Sequence, residues 1–439
     1  MPISLARPLS PIERWYWILD QVSPLNVISR VRVHGELDTA ALRTAAEALA
    51  RRHPFLRVAI AADAEGANPR FVPTDAAITV RAITGDDRTW EHEVDSVELA
   101  ESTDWVRGPL ARILHVAVRL DDGSVAHDLV FVVSHVIADG TSALTLLQDL
   151  VTFAATAPGA VTELDTFDPP EQRLPRKFRG SLGAARSVRV ALAEELNRAA
   201  ARPRRLEPQA GVAPSARRTR LIRRELCGDE LARLSAACRA HGVSVHGALG
   251  AALTSAIGAQ LTPGRADKLS IGSPVDFRGE LAPPVGTQEA GAYVCTLPTV
   301  LEYGPAVDFW STAARLNKDL RERSSADRCF ALVSMLGVVT PKSLAHSAKT
   351  MRMAEQRGPG NICLSNIGRY DFAHRIGPWR LSGAQFIAGI SMSGYYVGTV
   401  NSSHGALFWN FTYIEGIVSE GRARRIADDT LHLVRQASS

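Results

Sequence analysis

The chain has 439 residues, of which 46% are hydrophobic and 22% are charged, and this is the composition of an ordinary globular protein. Its length allows two domains, at about 150 residues per domain. The formal net charge of +4 comes without a basic tail or a nucleic-acid recognition motif, so a nucleic-acid partner is not expected.

The cysteine spacing and the N-terminal residues indicate the cellular compartment that we expect for the protein. No Cys-x-x-Cys pair occurs, so the sequence predicts neither a zinc site nor a disulfide framework, but packing residues in a reducing cytosol. The first eight residues lack the charged start and apolar core of a signal peptide, and no apolar run approaches the roughly 20 residues that a membrane helix needs. The expected location is therefore cytoplasmic, without a membrane span.

The first predicted element is a helix. Ser10 is a suitable N-cap, Pro11 fits the first helical position, and Glu13 completes a capping box three residues after the cap. This helix then presents an aromatic-rich apolar face formed by Trp15, Trp17, Ile18 and Leu19. Either core packing or a place in the wall of a substrate tunnel explains this face.

An antiparallel sheet is predicted from the strands that follow. Residues 26–34 alternate as a half-buried strand does, and a helix is predicted over 39–52. Strands over 112–120 and 126–133 flank Asp121-Asp122-Gly123, a strong hairpin turn signal. The hairpin disfavours a parallel dinucleotide-binding sheet, and the chain has no Gly-x-Gly-x-x-Gly or P-loop sequence.

The second hairpin strand ends in the most informative stretch of the chain. Residues 129–133 are apolar and mostly β-branched, as in a strand buried on both faces, and they present His135 at the strand end. An imidazole there suits a general base for a hydroxyl or amine that attacks a carbonyl. Asp139 either holds the His135 tautomer or pairs with a distant arginine, and a helix follows with Thr141 or Ser142 as its cap. From spacing alone, a hydrogen-bonded strand end and a plain turn are the alternative.

The composition changes between residues 165 and 220. Prolines bracket a helix-compatible stretch over 182–201 that is rich in Arg and poor in acids. We interpret residues 166–218 as a connector, whose basic face is either plainly solvated or suited to an acidic acyl carrier protein or the phosphates of coenzyme A. Beyond it, Gly242-Val-Ser-Val-His246 misses the Gly-x-Ser-x-Gly nucleophile elbow, which counts against an α/β-hydrolase.

The segment Ser134-His135-Val-Ile-Ala-Asp139-Gly140 resembles the His-His-x-x-x-Asp-Gly signature of the condensation-domain superfamily. That superfamily has the chloramphenicol acetyltransferase-like fold. It includes condensation domains of nonribosomal peptide synthetases and polyketide-associated acyltransferases of the phthiocerol dimycocerosyl transferase type. The resemblance implies that His135, which matches the second histidine, is the catalytic residue. Ser134 stands where the family has its first histidine.

Two segments of the second half extend the resemblance. Gly272-Ser-Pro-Val-Asp-Phe-Arg278 is similar to the family's Gly-x-Pro-Val-x-x-Arg segment. The resemblance makes Arg278 the partner of Asp139 in an ion pair between the halves, and the fork of an arginine suits a buried carboxylate. Ser365-Asn366-Ile-Gly-Arg369 is similar to the family's Ser-Asn-x-Gly-Arg segment beside the reaction centre.

The remaining candidate site residues have less certain roles. Asn366 either contacts the substrate or His135, or forms an Asx turn at a strand end. Ser134 is a second possible substrate contact. Gly140 belongs to the loop whose backbone N–H groups, at the start of the next helix, are expected to stabilise an oxyanion.

The resemblance implies an α/β fold of two chloramphenicol-acetyltransferase-like halves with mostly antiparallel or mixed sheets flanked by helices. We expect the halves at residues 1–165 and 219–439, the basic connector at 166–218, and an active-site tunnel at the interface. The implied activity is transfer of an acyl group from an acyl carrier protein or coenzyme A thioester to a hydroxyl acceptor in polyketide, lipid or other natural-product biosynthesis. No permanently bound cofactor and no metal are expected.

Three alternatives remain open at the level of sequence. The runner-up is an amide-forming condensation enzyme, and the departure at Ser134 leaves room for a non-catalytic carrier-protein-binding homologue. A metal hydrolase using His135 and Asp139 is the third, although no further ligand motif accompanies them. The acyl chain, the acceptor and the donor's carrier depend on the shape of the tunnel, which one sequence does not reveal.

Overall fold

The computed structural model describes residues 5–120, 123–156, 159–166, 168–286, 288–323, 326–358, 360–391 and 394–439. Its helices are α1 Pro11–Val22, α2 Thr39–Arg52, α3 Thr89–Glu93, α4 Gly140–Thr156, α5 Pro170–Arg173, α6 Gly180–Ala201, α7 Gly228–Ala240, α8 Val245–Leu261, α9 Phe309–Arg323, α10 Ala326–Val339, α11 Ala348–Arg357 and α12 Glu420–Ala437. Its strands are β1 Asn26–His34, β2 Val58–Ala61, β3 Arg70–Pro73, β4 Thr79–Gly85, β5 Ala111–Arg119, β6 Val125–Ser134, β7 Thr219–Leu226, β8 Asp267–Asp276, β9 Val294–Tyr303, β10 Ile362–Arg369, β11 Arg375–Ile376, β12 Trp379–Ala388, β13 Tyr396–Ser403 and β14 Ala406–Ile414. Within these residues no single helix is long and apolar enough to cross a membrane, and the bent pair α7 and α8 passes that test only jointly, by length and composition.

Two sheets organise the chain. The first has the strand order β11, β12, β1, β6, β5, β4, and the second has the order β7, β14, β13, β10, β8, β9. Most neighbours are antiparallel, whereas β4 runs parallel to β5, and β10 runs parallel to β13 and β8. Helix α4 packs on β1 of the first sheet, and α8 and α9 pack on β9 of the second. The expected mixed α/β fold with two helix-flanked sheets is confirmed.

Local signals place several elements where the sequence predicts them. The Ser10 hydroxyl accepts the Glu13 N–H, and the Glu13 carboxylate accepts the Ser10 N–H, so the capping box at the start of α1 is formed. Strand β1 and helix α2 have the predicted bounds. Strands β5 and β6 form the predicted antiparallel pair. Asp121 and Asp122 of the predicted turn lie outside the described residues.

Helix α4 begins earlier than predicted. Its cap is Asp139, whose Oδ1 accepts the Ser142 N–H at 2.9 Å, and Gly140 is its first residue. The prediction that Thr141 or Ser142 caps the helix was therefore wrong. A carboxylate three residues before an orphan N–H caps it as well as a hydroxyl does, and the capping role is part of how Asp139 is held.

The second half of the chain contributes to the first sheet. Strand β12 pairs antiparallel with β1, with Val27 opposite Ala388, and the chain then returns to the second sheet through β13. The strands therefore do not divide between the sheets as the expected halves 1–165 and 219–439 would have them. Those boundaries stay a prediction about folding units.

The cysteines are not uniformly buried. Cys238, Cys295 and Cys329 are buried and Cys363 is half-buried, but Cys227 is exposed just before α7. The expectation that the cysteines are packing residues is wrong for Cys227.

A buried ion cluster fixes strand β6, which carries the candidate site at its end. The Asp128 carboxylate on β6 is fully buried and accepts from both Arg30 and Arg32 on β1, with Arg32 Nη2 at 2.7 Å. The Arg30 guanidinium also lies over the Trp90 ring, 4.6 Å from its centroid. The guanidinium groups of Arg30 and Arg32 thus share one carboxylate that is buried from water.

We expect Asp128→Ala to lower the free energy of unfolding by roughly 3 to 5 kcal/mol, because it leaves the buried Arg30 guanidinium without its carboxylate partner and leaves Arg32 with only the exposed Asp87. Urea denaturation measures the change. Asp87→Ala is the matched control, because Asp87 contacts the same Arg32 from a site that is 66% exposed, and it should cost less than about 1 kcal/mol. Equal losses in the two variants would contradict the assignment.

Candidate functional site

His135 directly follows β6 and lies between the two sheets. Its N–H donates to the Leu25 carbonyl at 3.2 Å, which ties the strand end to the segment before β1. The half-buried side chain lines a cavity of about 530 Å³. Side chains of α1, β1, β8, β9, α10, β10 and β12 line the same cavity, so both sheets enclose it.

The imidazole of His135 is stacked on the ring of Tyr16 from α1. The ring centroids are 4.1 Å apart and the planes differ by 8°. Nδ1 of His135 is buried and makes no hydrogen bond of ordinary geometry within the described residues. Burial lowers the pKa of His135, and the Asp139 carboxylate and nearby backbone carbonyls offset part of this shift. The ring is therefore neutral at pH 7 and able to accept a proton.

Asp139 points into a cluster of donors and not at the imidazole. Oδ2 accepts the Tyr293 N–H at 3.1 Å and the Arg278 Nη2 at 2.6 Å, while Oδ1 accepts the Ser142 N–H. The backbone N–H of Asp139 donates to the Gly291 carbonyl at 3.0 Å. Oδ2 thus holds the loop before α4 against Arg278 and the segment before β9, while Oδ1 caps α4.

Arg278 comes from the second half and reaches Asp139 across the interface. Its guanidinium contacts Asp139 at 2.6 Å and Asp276 at 2.9 Å, and lies 5.4 Å from the centroid of the Tyr293 ring. The Asp139 side chain is 3% exposed and the Arg278 side chain 11%. The structure forms the contact expected between these two residues, and their role as a structural pair is a proposal.

Gly140 lines the cavity where α4 begins. A Cβ at this position would lie 2.7 Å from ring atoms of Phe386 on β12, so only glycine fits beside that ring. The backbone of the first helical turn can therefore approach the cavity closely, in keeping with the place expected for an oxyanion-stabilising loop.

The two candidate substrate contacts are placed differently. Ser134 is buried, its hydroxyl lies 3.4 Å from the Val136 N–H, and it is not part of the cavity wall. Substrate contact by Ser134 is therefore not supported. Asn366 does line the cavity, while its side-chain oxygen accepts the Gly368 N–H at 2.8 Å in an Asx turn. Both readings of Asn366 thus have a basis in the geometry.

Sequence reasoning missed several residues that the fold brings to the imidazole. Tyr16 belongs to the aromatic-rich helix whose face was left between core packing and a tunnel wall, and in the structure Trp15, Tyr16 and Leu19 all line the cavity. Cys295 and Cys363 line it from β9 and β10. No spacing pattern connects residues so far apart in the chain. Within the described residues, no group of three or more His, Cys, Asp or Glu side chains is arranged to hold a metal ion.

Comparison with known proteins agrees with this geometry. Residues 215–375 match the family model for the C-terminus of phthiocerol/phthiodiolone dimycocerosyl transferase. The structure is similar to the epimerization domain from the third module of tyrocidine synthetase B, with a TM-score of 0.71 and 16% identity, covering 100% of this chain and 97% of that one. It is also similar to polyketide synthase associated protein 5 from Mycobacterium tuberculosis, with a TM-score of 0.65 and 20% identity, covering 99% and 98%.

Curated relatives match a smaller part of the chain. One component of linear gramicidin synthase from Brevibacillus parabrevis is 30% identical over 152 residues, which cover 33% of this chain and 3% of that protein. Another component of the same synthase is 28% identical over 172 residues, 36% of this chain and 2% of that protein. The chain thus corresponds to only a few per cent of the length of these relatives. Its fold is similar to the folds of these solved structures, and the family model that matches residues 215–375 is of the type that the sequence resemblance named.

We expect Asp139→Ala and Arg278→Ala each to lower the free energy of unfolding by roughly 3 to 5 kcal/mol, because each leaves a buried charge without its partner. The double variant should lose less than the sum of the single losses, since the two residues contact each other. Chemical denaturation of the four proteins gives the coupling energy.

The control cycle pairs Arg278→Ala with Asp276→Ala. Asp276 contacts the same guanidinium, but its side chain is 43% exposed, so its coupling to Arg278 should be smaller. If the losses of unfolding free energy at Asp139 and Arg278 were additive, the two residues would not act as a structural pair.

Proposed function

We propose that the protein is an acyltransferase that moves an acyl group from a thioester to a hydroxyl acceptor, with His135 as the general base. The observation that carries the proposal is the imidazole at the end of β6, which lines a cavity of about 530 Å³ enclosed by both sheets. Trp15, Leu19 and Leu336 give this cavity an apolar wall suited to an acyl chain.

The reaction follows from these positions. His135 takes the proton of the acceptor hydroxyl as its oxygen attacks the thioester carbonyl, and a tetrahedral oxyanion forms. The N–H groups at Gly140 and Thr141, in the first turn of α4, are the proposed oxyanion donors, because the first N–H groups of a helix have no acceptor within it. The intermediate then collapses to the ester, the carbon–sulfur bond breaks, and the imidazolium returns the proton to the departing thiolate.

Direct transfer is favoured over a covalent enzyme intermediate. The Ser134 hydroxyl lies outside the cavity wall. Burial raises the pKa of the Cys363 thiol to about 12. The Cys295 pKa is raised by its contact with Cys329 and by burial. Both thiols therefore stay protonated at neutral pH, and a protonated thiol is a weak nucleophile.

Two observations bear on the nature of the acceptor, and they favour different acceptors. The family match at residues 215–375 is to a transferase named for phthiocerol and phthiodiolone, which are alcohol names, and this favours a hydroxyl acceptor. The similarity to nonribosomal peptide synthetase domains favours an amine, so an amide-forming condensation enzyme is the second candidate. Mass spectrometry of products from matched alcohols and amines with one acyl thioester distinguishes them.

We expect His135→Ala to lower the transfer rate by ~10²- to 10⁴-fold with the fold intact, the usual range for a general base. In the unchanged protein, kcat/KM should fall as pH drops through the lowered pKa of His135, because protonation removes the base. Ser134→Ala is the control at the adjacent position and should keep most of the activity. Near-normal turnover in His135→Ala would contradict the role of His135 as the general base, whereas a wild-type protein without turnover would favour a non-catalytic carrier-binding protein.

We further propose that the donor arrives on an acidic carrier protein that binds the connector. Residues 166–218 contain twelve Lys and Arg against five Asp and Glu, a net charge of +7, whereas the whole chain carries +4. Val188, Leu192 and Leu196, spaced four residues apart on α6, lie on one helical face and are exposed. An apolar stripe with the exposed Arg189 beside it suits an amphipathic acidic helix.

Arg189→Glu should raise the KM for an acyl carrier donor at least fivefold and leave the KM for acyl pantetheine unchanged, because Arg189 is exposed beside the stripe on α6. Steady-state kinetics with both donors measures this. The matched control is Arg425→Glu, an equal charge reversal at an exposed position of α12. If both reversals act alike, or if acyl pantetheine is affected equally, the connector is not the docking surface.

A further inference from the structure

The stacked pair of Tyr16 and His135 has a rigid support. Tyr16 lies in α1, whose start is fixed by the capping box of Ser10 and Glu13 and whose next residues, Trp17 and Ile18, are fully buried. The Tyr16 ring therefore has little freedom to follow the imidazole. The ring planes are 8° from parallel with centroids 4.1 Å apart, so the imidazole lies flat on a ring that a well-anchored helix carries.

A catalytic histidine is usually oriented by a hydrogen bond at Nδ1, and no side chain makes this bond to His135 within the described residues. A base of this kind is normally held by an acceptor on Nδ1, often a carboxylate or a backbone carbonyl. Nδ1 of His135 has no such partner at ordinary hydrogen-bond geometry within the described residues. The nearest carboxylate in sequence, Asp139, uses its oxygens on Arg278, Ser142 and Tyr293. The backbone of His135 and Ala138 lies near the ring and acts on its pKa, and the stack on Tyr16 is a further contact that can set the plane of the imidazole.

We propose that Tyr16 is a positioning residue for His135: its aromatic face fixes the plane of the imidazole and stabilises the imidazolium formed during proton transfer. A cation over an aromatic face within about 6 Å of the centroid is attracted by the ring quadrupole. The stack thus acts through the base and not on the substrate. This inference rests on the proposed role of His135.

Other ionisable groups face the same cavity and bear on any pH profile. They are Asp139 with its partner Arg278, Asp276 at the end of β8, Cys295 on β9 and Cys363 on β10. None of them is stacked on the imidazole among the described residues. A change confined to the ring of Tyr16 therefore tests the stack without altering these charges.

The test compares Tyr16→Phe with Tyr16→Leu. Phenylalanine keeps the aromatic face and should retain turnover within about threefold, whereas leucine should lower kcat at least tenfold with KM nearly unchanged. The His135 signals, followed by NMR titration, should move to a lower pKa by roughly half a unit in Tyr16→Leu, because a stabiliser of the cation is lost. Thermal unfolding checks that both variants are folded.

A second stack in the chain supplies the control. His241 and Trp310 are parallel at 4.1 Å and 6°, and neither residue lines the cavity. Trp310→Leu should leave both kcat and the His135 titration unchanged. The proposal is overturned if Tyr16→Phe loses as much as Tyr16→Leu, or if the His135 titration in Tyr16→Leu is unmoved or shifts upward. The NMR measurement needs no substrate, so failure of the proposed transfer reaction would be seen separately, as a wild-type protein without turnover.

Discussion

The burial of the Asp139 carboxylate between the two sheets is the constraint on which the site depends. A carboxylate taken out of water is costly unless charged and hydrogen-bonding partners surround it. The partners come from the second half of the chain: the Arg278 guanidinium and the Tyr293 N–H. The loop that carries His135 therefore contacts residues from far along the chain, and their packing against this loop also encloses the cavity.

The connectivity of the chain reinforces this docking. Strand β12 leaves the second half, joins the first sheet beside β1, and brings Phe386 against Gly140 at the start of α4. The loop before α4 is thus held by the contact of Asp139 with Arg278, and the start of α4 packs against Phe386 of β12. Burial also bears on the chemistry proposed for the site, because it lowers the pKa of His135 and raises the pKa of the Cys363 thiol. A neutral base beside protonated thiols would suit the proposed direct acyl transfer.

Predictability from the sequence varied with the range of the interactions involved. The capping box at Ser10 and Glu13, strand β1 and helix α2 depend on neighbouring residues, and they were predicted with their bounds. Spacing alone left Asp139 between orienting His135 and pairing with an arginine, and only the resemblance named Arg278. The cap of α4 was assigned to Thr141 or Ser142, but the backbone of this loop brings the Asp139 carboxylate to the Ser142 N–H instead.

The sequence by itself determined that a buried strand leads to His135, that residues 166–218 are basic, and that the motif resembles that of the condensation-domain superfamily. These conclusions depend on residue order, periodicity and composition, which act over a few residues. Only the tertiary structure decided that Tyr16 stacks on the imidazole, that Ser134 lies outside the cavity wall, and that β12 completes the first sheet. These contacts join residues that are far apart in the chain. They depend on how the two sheets pack, and the local sequence pattern carries no signal for that packing.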